Sequence, residues 1–184
     1  MSNTSAAGVV DLTFMDISKE SDLVQCVTEY MENSGGGSPK KKKSLKAIRL
    51  GNNCISTVQY FSVAFTPLLD TSNIMWLDLS FNQLEKIDES LSQLFPNLTT
   101  LYLHANQISK LSTIKKLISF TQLRSLTLYG NPVEENKHYR NLVLYCFPNL
   151  QQLDFCVITA GQRDKMVCWS QVYRKSLNPD EDYN

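Results

Sequence analysis

Along the middle of the chain, apolar residues recur at fixed offsets with polar residues between them. In IMWLDLSFNQL the apolar positions are Ile74, Leu77, Leu79 and Leu84, and Asn82 stands between the last two. The spacing returns in LTTLYLHANQI, as Leu98, Leu101, Leu103, Asn106 and Ile108, and in LRSLTLYGNPV, as Leu123, Leu126, Leu128, Asn131 and Val133. Upstream, LKAIRLGNNCI carries Leu45, Ile48, Leu50, Asn53 and Ile55. The four asparagines are 29, 24 and 25 residues apart. Self-similarity at such a period predicts a stack of short coils.

Each copy predicts one strand and one return segment. The fourth and sixth positions lie two apart, so both face one side of a strand. The ninth position is asparagine where the chain bends. Its carboxamide is expected to bond the backbone of neighbouring coils, whose groups would otherwise be buried without partners. One coil cannot cover its own apolar face, but stacked coils can. These are the features of a leucine-rich repeat. The predicted fold is α/β, a right-handed solenoid with a parallel concave sheet and short convex helices. Phe61, Phe65, Leu68 and Leu69, then Ile87, Leu91, Leu94 and Phe95, then Leu111, Ile114, Leu117, Ile118 and Phe120 recur at helical spacings in the three returns and read as convex core.

Residues 1–43 read as an N-terminal extension. Thr13–Ile17 suggests a short extended piece. Ser21–Met31 spaces Leu23, Val24, Val27 and Met31 as an amphipathic helix, with Ser21 or Asp22 as its cap. Its expected role is to cover the open end of the solenoid; the rival is a partner-binding helix. Ser34–Pro39 (SGGGSP) reads as a loop and Lys40–Lys43 as its solvated continuation, the rival readings being a nuclear address or a phosphate-binding patch, with contact to an acidic partner surface as one use.

Residues 44–158 hold the repeats and a closing strand. After Asn131 the pattern changes to NPVEENKHYRNLVLYCFPNLQQLDF, which contains Pro132, Tyr139, Arg140, Val143, Pro148, Leu150, Leu153 and Asp154. The last strand is expected over 150–155, with Ile158 where the asparagine would stand. Residues 159–184 form a cap helix and an acidic tail, DEDYN. Thr159 and Gln162 make a capping box, Met166, Val167, Trp169, Val172 and Tyr173 give a partly apolar face, and Asn178-Pro179 stops the helix.

Composition narrows the function. Net charge is zero and the pI about 6.7, so nothing global favours nucleic acid or an anionic membrane. No apolar run approaches the ~18 residues of a membrane span, and the first residues do not read as a secretory signal. Cys26, Cys54, Cys146, Cys156 and Cys168 are odd in number with no CxxC spacing, which argues against a disulfide framework or a zinc site. With that reading, the sequons at Asn3 and Asn97 are chance matches in a cytosolic protein. His104 and His138 sit in no nucleophile motif, and phosphate-binding, EF-hand and HExxH spacings are absent. Asp78 and Asp154 have two repeats between them, too far for an acid–base pair at ~4.8 Å per strand. The expectation is therefore no catalytic residues, no metal, no cofactor and no enzyme activity.

What remains is surface. Residues flanking the inward leucines are expected to face solvent from the concave sheet: Ala47 and Arg49; Trp76, Asp78 and Ser80; Thr100, Tyr102 and His104; Ser125, Thr127 and Tyr129; Gln152 and Asp154. Trp76, Tyr102 and Tyr129 would form an aromatic track bordered by Arg49, Asp78 and His104. Aromatic rings with polar tips, together with arginine, dominate binding hot spots. Arg49, Trp76, Asp78, Tyr102, His104, Tyr129 and Asp154 are therefore the candidate partner-binding residues. The alternative is that the rings simply suit β-structure.

The cap resembles that of intracellular repeat proteins such as phosphatase regulators and nuclear-export factors. MWLDLSFNQLEKID, LTTLYLHANQISKL, LRSLTLYGNPVEENKHYRNLVL and the helix after Val157-Ile158-Thr159, across residues 45–175, resemble the leucine-rich repeat-containing protein 51 family. That resemblance implies a cytoplasmic, non-enzymatic protein linked to the cilium or flagellar axoneme. The expected function is a protein–protein scaffold whose concave face clasps a partner in a ciliary or cytoskeletal assembly. The chain would act as a monomeric module within a larger complex, without nucleic acid or membrane. The alternative is a regulatory adaptor that modulates a soluble enzyme such as a phosphatase.

Overall fold

A computed structural model describes residues 8–33 and 45–173. The Gly35–Gly37 loop, Lys40–Lys43, the Asn3 sequon, the helix stop at Asn178-Pro179 and the acidic tail all lie outside the described residues. Strands β1 (Val9–Asp11), β2 (Ala47–Arg49), β3 (Trp76–Asp78), β4 (Thr100–Tyr102), β5 (Ser125–Thr127) and β6 (Gln152–Leu153) lie side by side in chain order, all parallel. Strand β7 (Cys156–Val157) turns back antiparallel on β6. Between strands the chain returns through α1 (Glu20–Asn33), α2 (Phe61–Phe65), α3 (Ser90–Leu94), α4 (Leu111–Lys116) and α5 (Tyr139–Cys146), and it closes with α6 (Ala160–Tyr173). The leucines at the fourth and sixth positions are fully buried between sheet and helices, as the period demands.

The predicted carboxamide ladder is present in every repeat. Asn82 accepts the N–H of Ile55 in the coil before it, 3.0 Å, and donates to the carbonyls of Leu50, Leu79 and Ser80. Asn106 does the same for Leu84 N–H and the carbonyls of Leu79, Leu103 and His104. Asn131 serves Ile108 N–H and the carbonyls of Leu103 and Leu128. The residue before each asparagine takes a left-handed conformation: Asn52, Phe81, Ala105 and Gly130, with φ of 57°, 53°, 53° and 69°. That turn aims the carboxamide back into the stack. For phenylalanine or alanine it costs on the order of 1 kcal/mol.

At the N-terminus the sequence reading needs correction. Residues 8–33 are a further coil, not a separate extension. Val10 and Leu12 fill the positions of Ile48 and Leu50, and Ile17 that of Ile55, all buried. Met15 stands where the asparagine would be, which hid the repeat. Asn53 instead reaches back, accepting N–H groups from Met15 and Ile17 and donating to the Leu12 carbonyl. Thr13–Met15 is a turn, with Phe14 at φ 58°, rather than an extended piece. Helix α1 shields the end of the core, as expected, but as the convex return of this coil: Leu23 and Val27 are buried and α1 packs on α2. Asp22 caps it from inside the first turn, accepting the Ser18 and Lys19 N–H groups. Those bonds hold its carboxyl below the usual range, the Ser18 N–H chiefly.

The C-terminal cap also departs from expectation. The strand stops at Leu153, and Asp154 and Phe155 both take positive φ, 53° and 59°, forming the two-residue loop of a β6–β7 hairpin. The Thr159–Gln162 capping box forms with both reciprocal bonds. The apolar face expected of α6 is largely open: none of its residues is fully buried, and Val167 and Val172 are exposed. Polar contacts and rings hold the helix instead. Arg163 donates to the carbonyls of Leu144 and Leu150 at 2.6 and 2.7 Å, and Trp169 Nε1 donates to His138 Nδ1 at 3.2 Å. In the convex core, Ile118 is exposed rather than buried, because the chain tightens into a 3-10 turn over Leu117–Ser119 and swings it outward.

Asn106→Ala removes one acceptor and the donors for three buried carbonyls at once. The expected loss is on the order of 3 kcal/mol of unfolding free energy, read by urea denaturation. Asn106→Asp should be no milder, since a carboxylate cannot donate to those carbonyls.

Candidate concave binding face

Alternation along each strand decides which side chains reach the concave surface. With Leu77, Leu79, Leu101, Leu103, Leu126 and Leu128 inside, Trp76, Asp78, Ser80, Thr100, Tyr102, His104, Ser125, Thr127 and Tyr129 fall on the opposite side. Register then sets their neighbours. Trp76 pairs with Thr100, and Asp78 with Tyr102, which in turn pairs with Thr127. Trp76, Tyr102 and Tyr129 therefore lie on three successive strands, each one step further toward the strand ends: a diagonal, not a row.

Two side chains complete the diagonal. Trp76 meets Tyr102 edge-on with ring centroids 5.8 Å apart. Tyr102 and Tyr129 are joined through His104, 6.0 Å from Tyr102 and stacked on Tyr129 at 4.7 Å and 9°, and through Phe155, 5.3 and 5.9 Å from the two tyrosines. Phe81 packs edge-on against His104 at 5.3 Å. Phe81 and Phe155 are 50% and 54% exposed, while Trp76, Tyr102 and Tyr129 are half-buried. The result is a continuous aromatic surface across β3, β4, β5 and the closing hairpin.

The sequence reading missed both phenylalanines. Phe155 occupies the sixth position of its copy, where leucine points inward, and only the hairpin turn throws it onto the concave side. Phe81 occupies the position filled in the other three copies of the sequence pattern by asparagine, alanine or glycine, so the pattern made it part of a bend; Phe14 takes the same place in the first coil. A phenylalanine among residues suited to a left-handed turn was the available signal.

Several predicted residues are not surface groups. His104 is 7% exposed and Asp78 9%, with Ser80 and Thr127 also buried, because rings on adjacent strands fold over them. His104 Nδ1 lies 2.8 Å from the Thr127 hydroxyl. Asp78 Oδ1 accepts the Ser80 N–H at 2.9 Å and its hydroxyl at 2.6 Å. Asp154 is a structural group. Its Oδ1 accepts the N–H groups of Leu128, 2.7 Å, and Tyr129, 3.0 Å, and its Oδ2 accepts the Tyr139 hydroxyl, 2.9 Å. Arg49 does reach the surface, but its guanidinium pairs with Asp11 at 2.7 Å, a partner supplied by the unforeseen first strand.

The electrostatics follow from the covering rings. Desolvation lowers the pKa of His104, with Asp78 and Asp154 pulling the other way. Burial, then the charge of Asp78, raises that of Tyr102. Burial, reinforced by the Asp154 carboxylate, pushes the Tyr139 phenol far above its ordinary value. Two donors, Trp76 Nε1 and Arg49 Nε, are buried without an acceptor, an arrangement that costs about 1–3 kcal/mol for each. Among the described residues no cluster of His, Cys, Asp and Glu could hold a metal ion, and no helix is long and apolar enough to cross a membrane.

Comparisons with known proteins agree with this architecture. The family profile described as leucine-rich repeat matches residues 19–175. Leucine-rich repeat-containing protein 51 of Bos taurus is 40% identical over 132 residues, 71% of this chain and 68% of that protein. The Homo sapiens protein of the same name is 40% identical over 135 residues, 72% of this chain and 70% of that protein. Among solved structures, a chain of the Drosophila melanogaster SNF/U2A′ complex matches with a TM-score of 0.65 at 23% identity, covering 92% of this chain and 85% of that one, a likeness of fold.

Two outcomes follow from these contacts. With its folded pKa lowered, His104 resists protonation while the unfolded chain takes up the proton. Stability should therefore fall as pH drops below ~6.5 toward the folded value, and His104→Gln should flatten that slope in unfolding curves measured between pH 7.5 and 5. Tyr139→Phe strips a hydrogen bond from the Asp154 carboxylate and should cost about 1.5–3 kcal/mol, read by thermal or urea melts.

Proposed function

The chain belongs to the leucine-rich repeat family, among the proteins named leucine-rich repeat-containing protein 51, and from that membership we propose that it is a non-enzymatic scaffold whose concave face holds a protein partner. Leucine-rich repeat proteins as a class act by binding other proteins. The observation that carries the finer reading is the aromatic surface of Trp76, Phe81, Tyr102, Tyr129 and Phe155, with His104 beneath it. A folded monomer has no packing reason to leave two phenylalanines half open beside three further rings, whereas buried aromatic anchors are what binding hot spots use. Arg49 borders the surface. His104 and Asp154 support it from below rather than touching the partner first.

The assembly we propose is ciliary or axonemal, a reading supported by the family resemblance. The chain acts there as a monomeric module of a larger complex in the cytoplasmic compartment of the cilium.

Affinity capture from isolated cilia tests both statements. Wild-type protein should recover a defined partner. Tyr102→Ala with Phe155→Ala should lose it while keeping a wild-type melting curve, each ring contributing ~2 kcal/mol if it is a hot spot. Equal recovery by the double variant would remove the concave face from the account, and absence of the protein from cilia would remove the axonemal setting.

A further inference from the structure

We propose that the segment held on the concave face presents a cationic side chain, an arginine by preference, to Asp78 and against the rings of Trp76 and Tyr102. This rests on the concave-face reading above and adds the chemistry of the occupant.

The charges on that face decide it. Among the described residues they are Asp11, Arg49, Asp78 and Asp154. Arg49 and Asp11 satisfy each other at 2.7 Å. Both oxygens of Asp154 are occupied by protein donors. Asp78 is different. Its Oδ1 takes both Ser80 donors, while no protein donor among the described residues reaches Oδ2, which keeps a small opening to solvent in a residue only 9% exposed. Its two register neighbours offer nothing further: Arg49 turns away to Asp11, and Tyr102 presents its ring. A carboxylate oxygen that opens onto the face, flanked by rings and without a counter-charge of its own, favours a cationic ligand.

The surroundings select the form of the cation. Trp76 and Tyr102 meet edge-on beside Asp78, so an approaching cation meets π-faces as well as the carboxylate. A guanidinium stacks on rings and donates to a carboxylate with the same planar group. An acidic occupant would face Asp78 and Asp154 with no unspent cation among the described residues to receive it. A wholly apolar one would bury Asp78 deeper without relief.

The test is selection from a random twelve-residue peptide display library on the full-length protein. Bound sequences should be enriched in arginine over the starting library. Replacing the selected arginine by citrulline, its uncharged isostere, should weaken binding about tenfold or more. Asp78→Asn, which keeps an acceptor for Ser80, should weaken the arginine peptide similarly and leave the citrulline peptide unchanged. Because the citrulline comparison leaves the protein intact, the result does not depend on that variant folding. Peptides of neutral or acidic composition that still require Tyr102 and Phe155 would overturn the cation and leave the concave face standing. Selected peptides indifferent to Tyr102→Ala with Phe155→Ala, or no selected peptide at all, would overturn both.

Discussion

Each coil of this protein is tied to the one before it by a single carboxamide. Parallel strands of three residues have few hydrogen bonds to offer one another, and the tight bend after each strand leaves amides and carbonyls pointing into the core. Asparagine answers both sets, because one short side chain accepts and donates together. Asn53, Asn82, Asn106 and Asn131 form a continuous column inside the molecule, each spanning two coils. The left-handed residue before each of them is the strain that keeps the column aimed inward. The strand register, and with it the layout of the concave face, depends on that column.

Where the column ends, other groups take over its work. In the inner coils the sixth and eighth amides of one strand bond carbonyls of the next, as Leu103 does with Thr127 and Ala105 with Tyr129. After β5 there is no strand long enough to continue. The carboxylate of Asp154 accepts the corresponding Leu128 amide, and the Tyr129 amide with it. A group that resembled a surface charge by its offset is thus a substitute for missing backbone. The same economy appears at the other end, where Asn53 bonds a coil that has no asparagine of its own.

The sequence made the repeat, the ladder, the convex core and the final capping box legible, because each depends on residues close together in the chain. Less was legible where two coils compete for a residue's orientation. Alternation put Asp78 and His104 on the concave side correctly, but whether they meet water depends on how far the rings of the neighbouring strand lean over them. Phe155 belonged to the inward set until a turn of two left-handed residues reversed the chain. The first coil was hidden by one substitution, Met15, at the position that identifies all the others. Each miss falls where long-range packing overrides a local rule.

The two termini of the sheet are finished in different ways. At β1 the Val9 carbonyl is held by the Tyr30 hydroxyl from the coil's own helix. At the far side, β7 runs against the direction of every other strand. A copy laid against β7 would meet a strand running against the rest of the sheet, which disfavours continuing the parallel sheet on that side. Lineages needing a longer or shorter grip would have to gain or lose whole internal units of 24 or 25 residues, with both finished borders carried along unchanged.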